Sequence, residues 1–300
     1  MAEEAVASSG VRTSMGRFVI RVFRFFRRWP VIPILILMML VVAAIFAPWL
    51  APHDPIAGDL AKRNIVPMWY AKGSPEYILG TDPQGRDILS RVIYGARISL
   101  GVGLIAQSVA TTLGVTMGLI AGYYGRGIDA IVMRLADITL AFPTLLLLIA
   151  VAAAVRPSLP IVFLVIGIVG WAAMARLVRS QVLVLRSADY VLASRALGAR
   201  DSHILWRHLL PNIRGPVIVA ATLGIAGAIM AEAALSFVGL GAQPPTPSWG
   251  AMVADGRDLL RVAPWVSVAP GIAIGLAVMG FNLVGDALRE LYDPKLRSRS

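Results

Sequence analysis

The chain has 300 residues, of which 57% are hydrophobic and only 15% are charged, and its mean hydropathy is +0.74. A soluble domain carries about 25% charged residues, so this composition excludes an ordinary soluble domain and predicts a polytopic membrane protein. The net charge of +11 would suit nucleic acid. The arginines, however, stand beside apolar runs, which favours a positive bias at one membrane face and no nucleic-acid partner.

Two residue types limit the chemistry. The chain has no cysteine, which excludes a structural disulfide and a Cys-based zinc or redox site. The histidines, His53, His203 and His208, are too scattered for metal-ligand spacing. His203 and His208 are five positions apart, and this spacing does not place two side chains on one face of an α-helix. No metal site is predicted.

The chain begins with a polar, then arginine-rich segment, residues 1–30, which we predict to be a cytoplasmic tail. The apolar run 31–51 that follows is long enough to span the roughly 30 Å hydrocarbon core as a helix. A cleaved signal peptide is the competing interpretation. The run is too long for its apolar region, and no clear small-residue cleavage site follows, so a retained first helix is predicted.

Residues 52–97 are polar, with Pro and Gly turns, and are predicted to form a periplasmic loop. The segment 80–91 contains two glycines but is no phosphate-binding P-loop, because no Gly-Lys-Ser/Thr occurs in the chain. The simpler interpretation is a capped turn, with Asp87 starting an amphipathic helix.

Five more apolar runs are each long enough for a helical span, which gives six predicted spans in total. Glycines recur every four residues in two of the runs, at Gly114, Gly118 and Gly122 and at Gly271 and Gly275, and predict close approach of helix backbones. The five runs are residues 98–122, 135–155, 158–177, 216–240 and 265–285.

The arginines and lysines predict the orientation. With the N-terminus in the cytoplasm, the inside segments hold 19 of the 28 Lys and Arg residues, and most of the rest lie in the long 52–97 loop, which counts weakly. This places the basic segment 178–214 and a C-terminal tail, 288–300, in the cytoplasm. Residues 98–287 then form a five-helix core.

Within that basic segment, residues 190–212 are predicted to form two short helices with a break. Gly198 is suited to end the first helix in the left-handed conformation. Asp201 or Ser202 is predicted to cap the second, and Pro211 to stop it.

Glu232 and Ser236 lie inside the fifth of the six runs. A carboxylate at membrane depth usually faces the bundle interior or a water-filled cavity, so a transport pathway and an interhelix hydrogen bond both remain open. Asp137 is predicted to pair with Arg134 at the membrane interface, and Asp286 to be structural. Residues 243–250 form a predicted rigid turn, with Trp249 as a headgroup-level anchor.

The basic segment resembles the coupling loop of ABC importer permeases, E-A-A-x3-G-x9-I-x-L-P. Ala193, Gly198, Leu210 and Pro211 match its spacing. Leu192, Ser194 and His208 depart from it, and they stand where the family has Glu, Ala and Ile. In that family the loop is a cytoplasmic helix that sits in a groove of an ATPase subunit. An amphipathic helix lying at the lipid interface is the alternative.

Four further stretches, 80–97, 137–143, 233–250 and 281–296, closely resemble the C-type permease of dipeptide and oligopeptide ABC importers, and the resemblance covers about residues 17–297. It implies an all-α, MetI-like permease fold in the bacterial inner membrane, with six transmembrane helices and both termini cytoplasmic. It also implies coupling to the ATPase through residues 186–211, and the coupling residues matched or adjacent to the motif are Ala193, Arg195, Gly198, Asp201, Leu210 and Pro211.

The resemblance further implies partners. These are a B-type permease that supplies the other half of the pore, two ATPase subunits that bind ATP and Mg, and an extracytoplasmic peptide-binding protein. The chain itself is expected to be no enzyme and to hold no cofactor. Related permeases serve nickel chelates or glutathione, so the substrate stays open. Two other classes are weaker hypotheses: a proton-driven transporter using Glu232, and a membrane protein that transports nothing.

Overall fold

The computed structural model describes residues 31–155 and 158–292. Within these ranges the protein is helical, and the only β-type pairing is an isolated bridge between Thr81 and Asp87. The predicted N-terminal tail, 1–30, and the last residues of the predicted C-terminal tail, 293–300, lie outside the described residues. The described residues form eleven α-helical segments, numbered in chain order: α1 (Val31–Ile45), α2 (Ala47–Leu50), α3 (Ile88–Tyr124), α4 (Arg126–Ala141), α5 (Thr144–Ala153), α6 (Leu159–Leu185), α7 (Asp189–Ala196), α8 (Asp201–His203), α9 (Leu210–Phe237), α10 (Trp249–Gly256) and α11 (Trp265–Tyr292).

Four helices in the described ranges are long and apolar enough to cross a membrane, and a fifth crossing exists if the bent pair α4 and α5 is one span. The predicted six spans are therefore not confirmed. The run 135–155 is the clearest departure, because α4 and α5 meet at 92°. Pro143 explains the bend: a residue that precedes proline is pushed out of the helical conformation, and Phe142 is extended, with φ −89° and ψ 140°.

The helix α3 is the axis of the bundle. Its 37 residues correspond to a length of roughly 55 Å at the α-helical rise. Its most extensive partner is α6. Gly114, Gly118 and Gly122 make that contact close, since a Cβ on Gly118 would lie 2.5 Å from the carbonyl oxygen of Ala175. The packing prediction is confirmed for these glycines. It is wrong within the chain for Gly271 and Gly275, where an added Cβ would meet no described atom within 4 Å.

Several predicted boundaries move because helices continue past their apolar runs. The helix α3 begins at Ile88 rather than at residue 98, and Asp87 caps it, as predicted, by accepting a hydrogen bond from the Ser90 backbone N–H at 2.9 Å. The last helix continues to Tyr292, so the first residues of the predicted tail 288–300 are helical.

Two ends of the bundle can be defined along α3. The cap end, where α3 begins, carries the loop 52–87 and α10. The basic end, where α3 finishes at Tyr124, carries α7, α8 and the residues that join them to α9. The loop 80–91 is a capped turn, as predicted: the Asp82 carboxylate accepts from the backbone N–H groups of Gln84 and Arg86 at 2.9 and 3.0 Å.

Candidate functional site

The first helix of the basic end, α7, finishes as the sequence predicts. Gly198 has φ +79°, a left-handed conformation that glycine adopts without a Cβ penalty. Its N–H donates to the Arg195 carbonyl at 3.0 Å, and the Ala199 N–H donates to the Ser194 carbonyl at 3.1 Å. This pair of hydrogen bonds is a Schellman motif. It turns the chain sharply between α7 and α8.

The second predicted helix differs from the prediction in two ways. Neither Asp201 nor Ser202 caps it through a side chain, because Arg200 holds the cap position and no side-chain cap bond forms. Pro211 does not stop it, since residues 201–237 form one continuous 37-residue helix. Pro211 is the second residue of α9, which continues directly from a π-helical segment of the same helix.

A π-helical segment, Ile204–Leu209, joins α8 to α9. Pairing of residues five apart changes which side chains share a face. The rings of His203 and His208 consequently meet edge to face, with centroids 5.4 Å apart. The expectation that they point in different directions is therefore wrong. No group of three or more possible metal ligands occurs among the described residues.

The π segment also brings together two residues that depart from the coupling-loop pattern. Ser194 Oγ lies 3.3 Å from His208 Nε2, and Tyr190 packs against the His208 ring at 6.1 Å. The departures at positions 194 and 208 therefore occur as one contact between α7 and the π segment. The sequence alone gives no sign of this pairing.

The inner face of this region is anchored in the bundle. Val191, Ile204 and Leu209 are each fully buried, in one cluster with apolar residues of α3 and α6. Asp201, a predicted site residue, accepts a hydrogen bond from Tyr123 Oη at 2.6 Å, and the Arg195 guanidinium lies 5.2 Å from the centre of the Tyr123 ring. Sequence reasoning missed Tyr123, which ties two candidate residues to the end of α3.

The outer face is apolar and basic. Leu197 and Trp206 expose 89% and 67% of their surface, and Leu192, which stands at the position of the motif Glu, is 47% exposed. Ala193, Arg195, Gly198 and Pro211 are also exposed, whereas Leu210 is partly buried. A shallow cavity of about 530 Å³ lies beside Trp206, His203 and Arg200.

Two ion pairs link neighbouring helices at the basic end. Asp137 pairs with Arg176 at 2.6 Å, not with Arg134 as predicted, because Arg176 on α6 comes within reach. Arg179 binds Asp129 through two hydrogen bonds of 2.5 and 2.6 Å. This bidentate pair joins α4 to α6, and the sequence gives no sign of it.

Glu232, the second candidate, is fully buried in α9. Ser236 Oγ donates to its Oε1 at 2.7 Å, and Ser99 Oγ donates to its Oε2 at 3.3 Å. The backbone N–H of Trp249 in turn donates to Ser99 Oγ at 3.2 Å. The carboxylate thus joins α9, α3 and α10. Its geometry is that of an interhelix contact.

Trp249 contradicts its predicted role. It is fully buried rather than placed at headgroup level, and its indole N–H donates to the Val92 carbonyl at 2.9 Å. The ring packs against Gly95, where an added Cβ would lie 2.9 Å from Trp249 Cδ1. The predicted turn therefore folds inward and seats α10 on the bundle.

Known proteins resemble this chain over most of its length. Residues 114–298 match the family described as binding-protein-dependent transport system inner membrane component, and residues 21–67 match the N-terminal transmembrane domain of oligopeptide transport permease C. A solved inward-facing structure of the MetNI methionine ABC transporter is 20% identical, with a TM-score of 0.55, and the match covers 68% of this chain and 97% of that one. That likeness concerns the fold alone.

Three relatives are closer in sequence. The dipeptide transport system permease protein of Alkalihalophilus pseudofirmus is 45% identical over 268 residues, which cover 89% of this chain and 86% of that protein. Its counterpart in Haemophilus influenzae is 42% identical, with coverage of 90% and 92%. The glutathione transport system permease protein of Pectobacterium atrosepticum is also 42% identical, with coverage of 88% and 86%.

Proposed function

The chain belongs to the family of binding-protein-dependent transport system inner membrane components, and from this premise we propose that it forms half of the pore of an ATP-driven importer of dipeptides or oligopeptides. The observation that carries the substrate class is the identity of 42–45% to relatives named for dipeptide transport, over about nine-tenths of the chain. A permease for another substrate, such as glutathione, is the second candidate.

We propose a B-type permease as the other half of the pore, two ATPase subunits at the basic end, and an extracytoplasmic peptide-binding protein at the cap end. ATP and Mg belong to the ATPase subunits. The positive-inside bias supports this orientation, because Arg176, Arg179, Arg186 and Arg195 all lie at the basic end. Both termini are then cytoplasmic, and the chain is a multi-pass protein of the inner membrane.

The outer face of residues 186–211 is the proposed contact with the ATPase. Leu192, Leu197 and Trp206 expose apolar surface there, and arginines surround it, a composition that is enriched in the core of protein interfaces. An interfacial helix would instead turn this surface to lipid. The sharp turn at Gly198 gives residues 186–211 an angular outline, which fits a groove on a partner protein better than a flat lipid surface.

Movement of the ATPase pair would reach the spans through the inner face of the same residues. Val191, Ile204 and Leu209 are fully buried against α3 and α6, and the hydrogen bond from Tyr123 to Asp201 adds a polar tie to α3. Packed contacts of this kind transmit rigid-body shifts between two discrete states. We propose that residues 186–211 act as the lever between inward-open and outward-open arrangements.

The coupling role predicts that Gly198→Pro uncouples ATP hydrolysis from uptake while the protein remains in the membrane. Proline cannot adopt φ +79° and cannot donate the Gly198 N–H bond to Arg195. Gly198→Asn is the matched control, because asparagine tolerates the left-handed conformation. Normal ATP-driven uptake by the proline variant would refute the lever.

The peptide assignment is tested by uptake of a labelled dipeptide in cells with and without this chain, with its genomic neighbours intact. Unlabelled oligopeptide, glutathione and nickel serve as competitors. Loss of uptake on deletion, competed only by short peptides, is the expected result. Unchanged dipeptide uptake, with loss of glutathione uptake, would move the assignment to the second candidate.

A further inference from the structure

A second cavity lies at the cap end, far from the region that we assign to the ATPase. Its volume is about 570 Å³, and it is bounded by the start of α3, the end of α9 and the helix α10. Ligand pockets usually have volumes of about 300–1,000 Å³. The lining is mixed in character, with charges of both signs facing an apolar wall that includes Phe237 and Pro245.

The floor of this cavity is positively charged and rigid. The side chains of Arg86 and Arg91 expose only 11% and 4% of their surface. Arg86 Nε donates to Asp82 Oδ2 at 2.6 Å, and Arg91 Nη1 donates to the Pro55 carbonyl at 3.2 Å. Arg91 Nε lies 3.6 Å from the same Asp82 oxygen, so two guanidinium groups share one buried carboxylate. A single positive charge remains to be balanced.

The Asp255 carboxylate on α10 balances that positive charge, although neither guanidinium group donates a hydrogen bond to it. Its Oδ2 lies 3.8 Å from Arg86 Nη2 and 3.9 Å from Arg91 Nη2, and these separations exceed hydrogen-bond length. The side chain is 45% exposed. The hydrogen bonds between described residues include none to this carboxylate. Asp255 is among the residues that line the cavity, so its carboxylate is accessible to a ligand there.

A third guanidinium group, that of Arg257, lies at the rim of the cavity. Arg257 is 55% exposed, and its Nε lies 3.6 Å from Asp258 Oδ1, a carboxylate that is itself 85% exposed. The Arg257 guanidinium is placed 5.8 Å from the centre of the Phe237 ring, a cation–π position that orients it over the apolar wall. A ligand carboxylate can replace the water around this guanidinium and form a bidentate pair.

We propose that this cavity binds a zwitterionic ligand of the size of a short peptide, with Asp255 pairing to the ligand ammonium group and Arg257 to its carboxylate. The three guanidinium groups around the cavity are matched by three carboxylates, Asp82, Asp255 and Asp258, so a ligand that carries one charge of each sign leaves the site electrically neutral. Fixed charges of both signs across an apolar wall select such a molecule by electrostatic complementarity. Only the choice of a peptide as the ligand rests on the proposed function.

The test measures equilibrium binding of Ala-Ala to the assembled transporter in lipid nanodiscs, with neither ATP nor binding protein present. N-acetyl-Ala-Ala removes the ammonium, and Ala-Ala-amide removes the carboxylate. We expect each blocked peptide to bind about tenfold more weakly, the effect of losing one hydrogen bond to a charged group. Free alanine, measured in parallel, shows whether one residue suffices for the same zwitterion recognition.

The variants identify which residue recognises which end. Asp255→Asn should weaken Ala-Ala binding about tenfold and no longer respond to N-acetylation. Arg257→Gln should no longer respond to amidation. Asp255→Glu, which keeps the charge, should retain the preference for a free ammonium. Glu76→Gln removes a carboxylate of the cap end that does not line the cavity, from a side chain that is 52% exposed, and should change affinity by less than about twofold.

Three results would overturn the site. One is the absence of Ala-Ala binding, and another is an effect of N-acetylation that persists unchanged in Asp255→Asn. The third is an Asp255→Asn variant that binds Ala-Ala normally but docks the binding protein poorly, which would make the cavity a protein contact. These outcomes are separable from failure of the peptide assignment, because that assignment is decided by uptake in the deletion strain and not by binding to the cavity.

Discussion

Two tryptophans mark how differently the two ends of α3 are built. Trp249, at the cap end, is fully buried, and its indole N–H is hydrogen-bonded to the backbone of α3. Trp206, at the basic end, exposes 67% of its surface. Both lie in segments that the resemblance marks as characteristic of the family. Their contrast distinguishes a side chain that holds helices of this chain together from one that is left at the surface.

Two buried carboxylates at the cap end find hydrogen-bond donors within the chain. Asp82 takes hydrogen bonds from Arg86 and the neighbouring backbone, and Glu232 takes them from two serines. The basic end instead anchors one face and leaves the other outward, with Leu197 at 89% exposure. A large apolar side chain exposed in a polar rim marks an interaction site. The core of the cap end is therefore held together within one chain, whereas the exposed apolar side chains of the basic end form the surface that we propose for the ATPase.

The largest expected effect is on the cap end. Trp249→Ala removes a buried indole from the cluster that holds α1, α3, α9 and α11 together, and we expect the free energy of unfolding in detergent to fall by about 3–5 kcal/mol. Trp249→Phe keeps most of the ring and loses the hydrogen bond to Val92, so its cost should be about 1 kcal/mol. If the alanine variant were as stable as the parent, the cluster around Trp249 would not be what holds this end of the bundle together.

The second effect should appear in association and not in stability. Trp206→Ala is expected to leave the unfolding free energy of the chain nearly unchanged and to weaken binding of the ATPase by about 2 kcal/mol, the value of an interfacial hot spot. The measurement is the affinity of the ATPase for the permease pair in nanodiscs. Trp69, 63% exposed at the cap end, provides the control: Trp69→Ala should leave that affinity unaltered.

The sequence predicts the helical class, the turn at Gly198 and the cap at Asp87, because each depends on a local conformational preference. It also predicts that Gly114, Gly118 and Gly122 pack closely. Pro143 indicates the bend between α4 and α5 in the sequence. The apolar run 135–155 continues through this proline, however, and so conceals the change of direction. A hydropathy window measures composition and carries no information about helix axis.

The π-helical segment is the largest departure from the sequence-based prediction. Nothing in residues 204–209 distinguishes pairing five apart from pairing four apart. The choice is made by burial of Ile204 and Leu209 against α3 and α6, a contact between distant parts of the chain. The same tertiary origin explains why Tyr123 and the bidentate pair of Asp129 with Arg179 went unpredicted: each depends on partners from another helix.

Glu232 tests whether the buried polar group at the cap end is structural or carries protons. Glu232→Gln keeps the shape and one carbonyl acceptor, and serine hydroxyls can rotate to meet the new amide, so we expect a loss of stability of about 1 kcal/mol and retained ATP-driven uptake. A protonophore added with ATP held constant should likewise leave uptake intact. Abolished uptake in the glutamine variant, together with collapse under the protonophore, would favour the proton-driven alternative.

The smallest effect concerns the contact that the π-helical segment creates between Ser194 and His208. We expect a double-mutant cycle with Ser194→Ala and His208→Ile, measured on unfolding in detergent, to give a coupling energy of about 0.5–1 kcal/mol. Either single change removes the same partly exposed hydrogen bond, so the second change has no further bond to remove. Both changes restore residues of the family pattern, so the double variant should bind the ATPase as well as the parent does. Additive single effects would mean that the two departures from the pattern are independent. The helix α7 would then be held against the π-helical segment mainly by the apolar packing of Val191, and Ala199→Asp, at the edge of that cluster, should destabilise the region more than either single change.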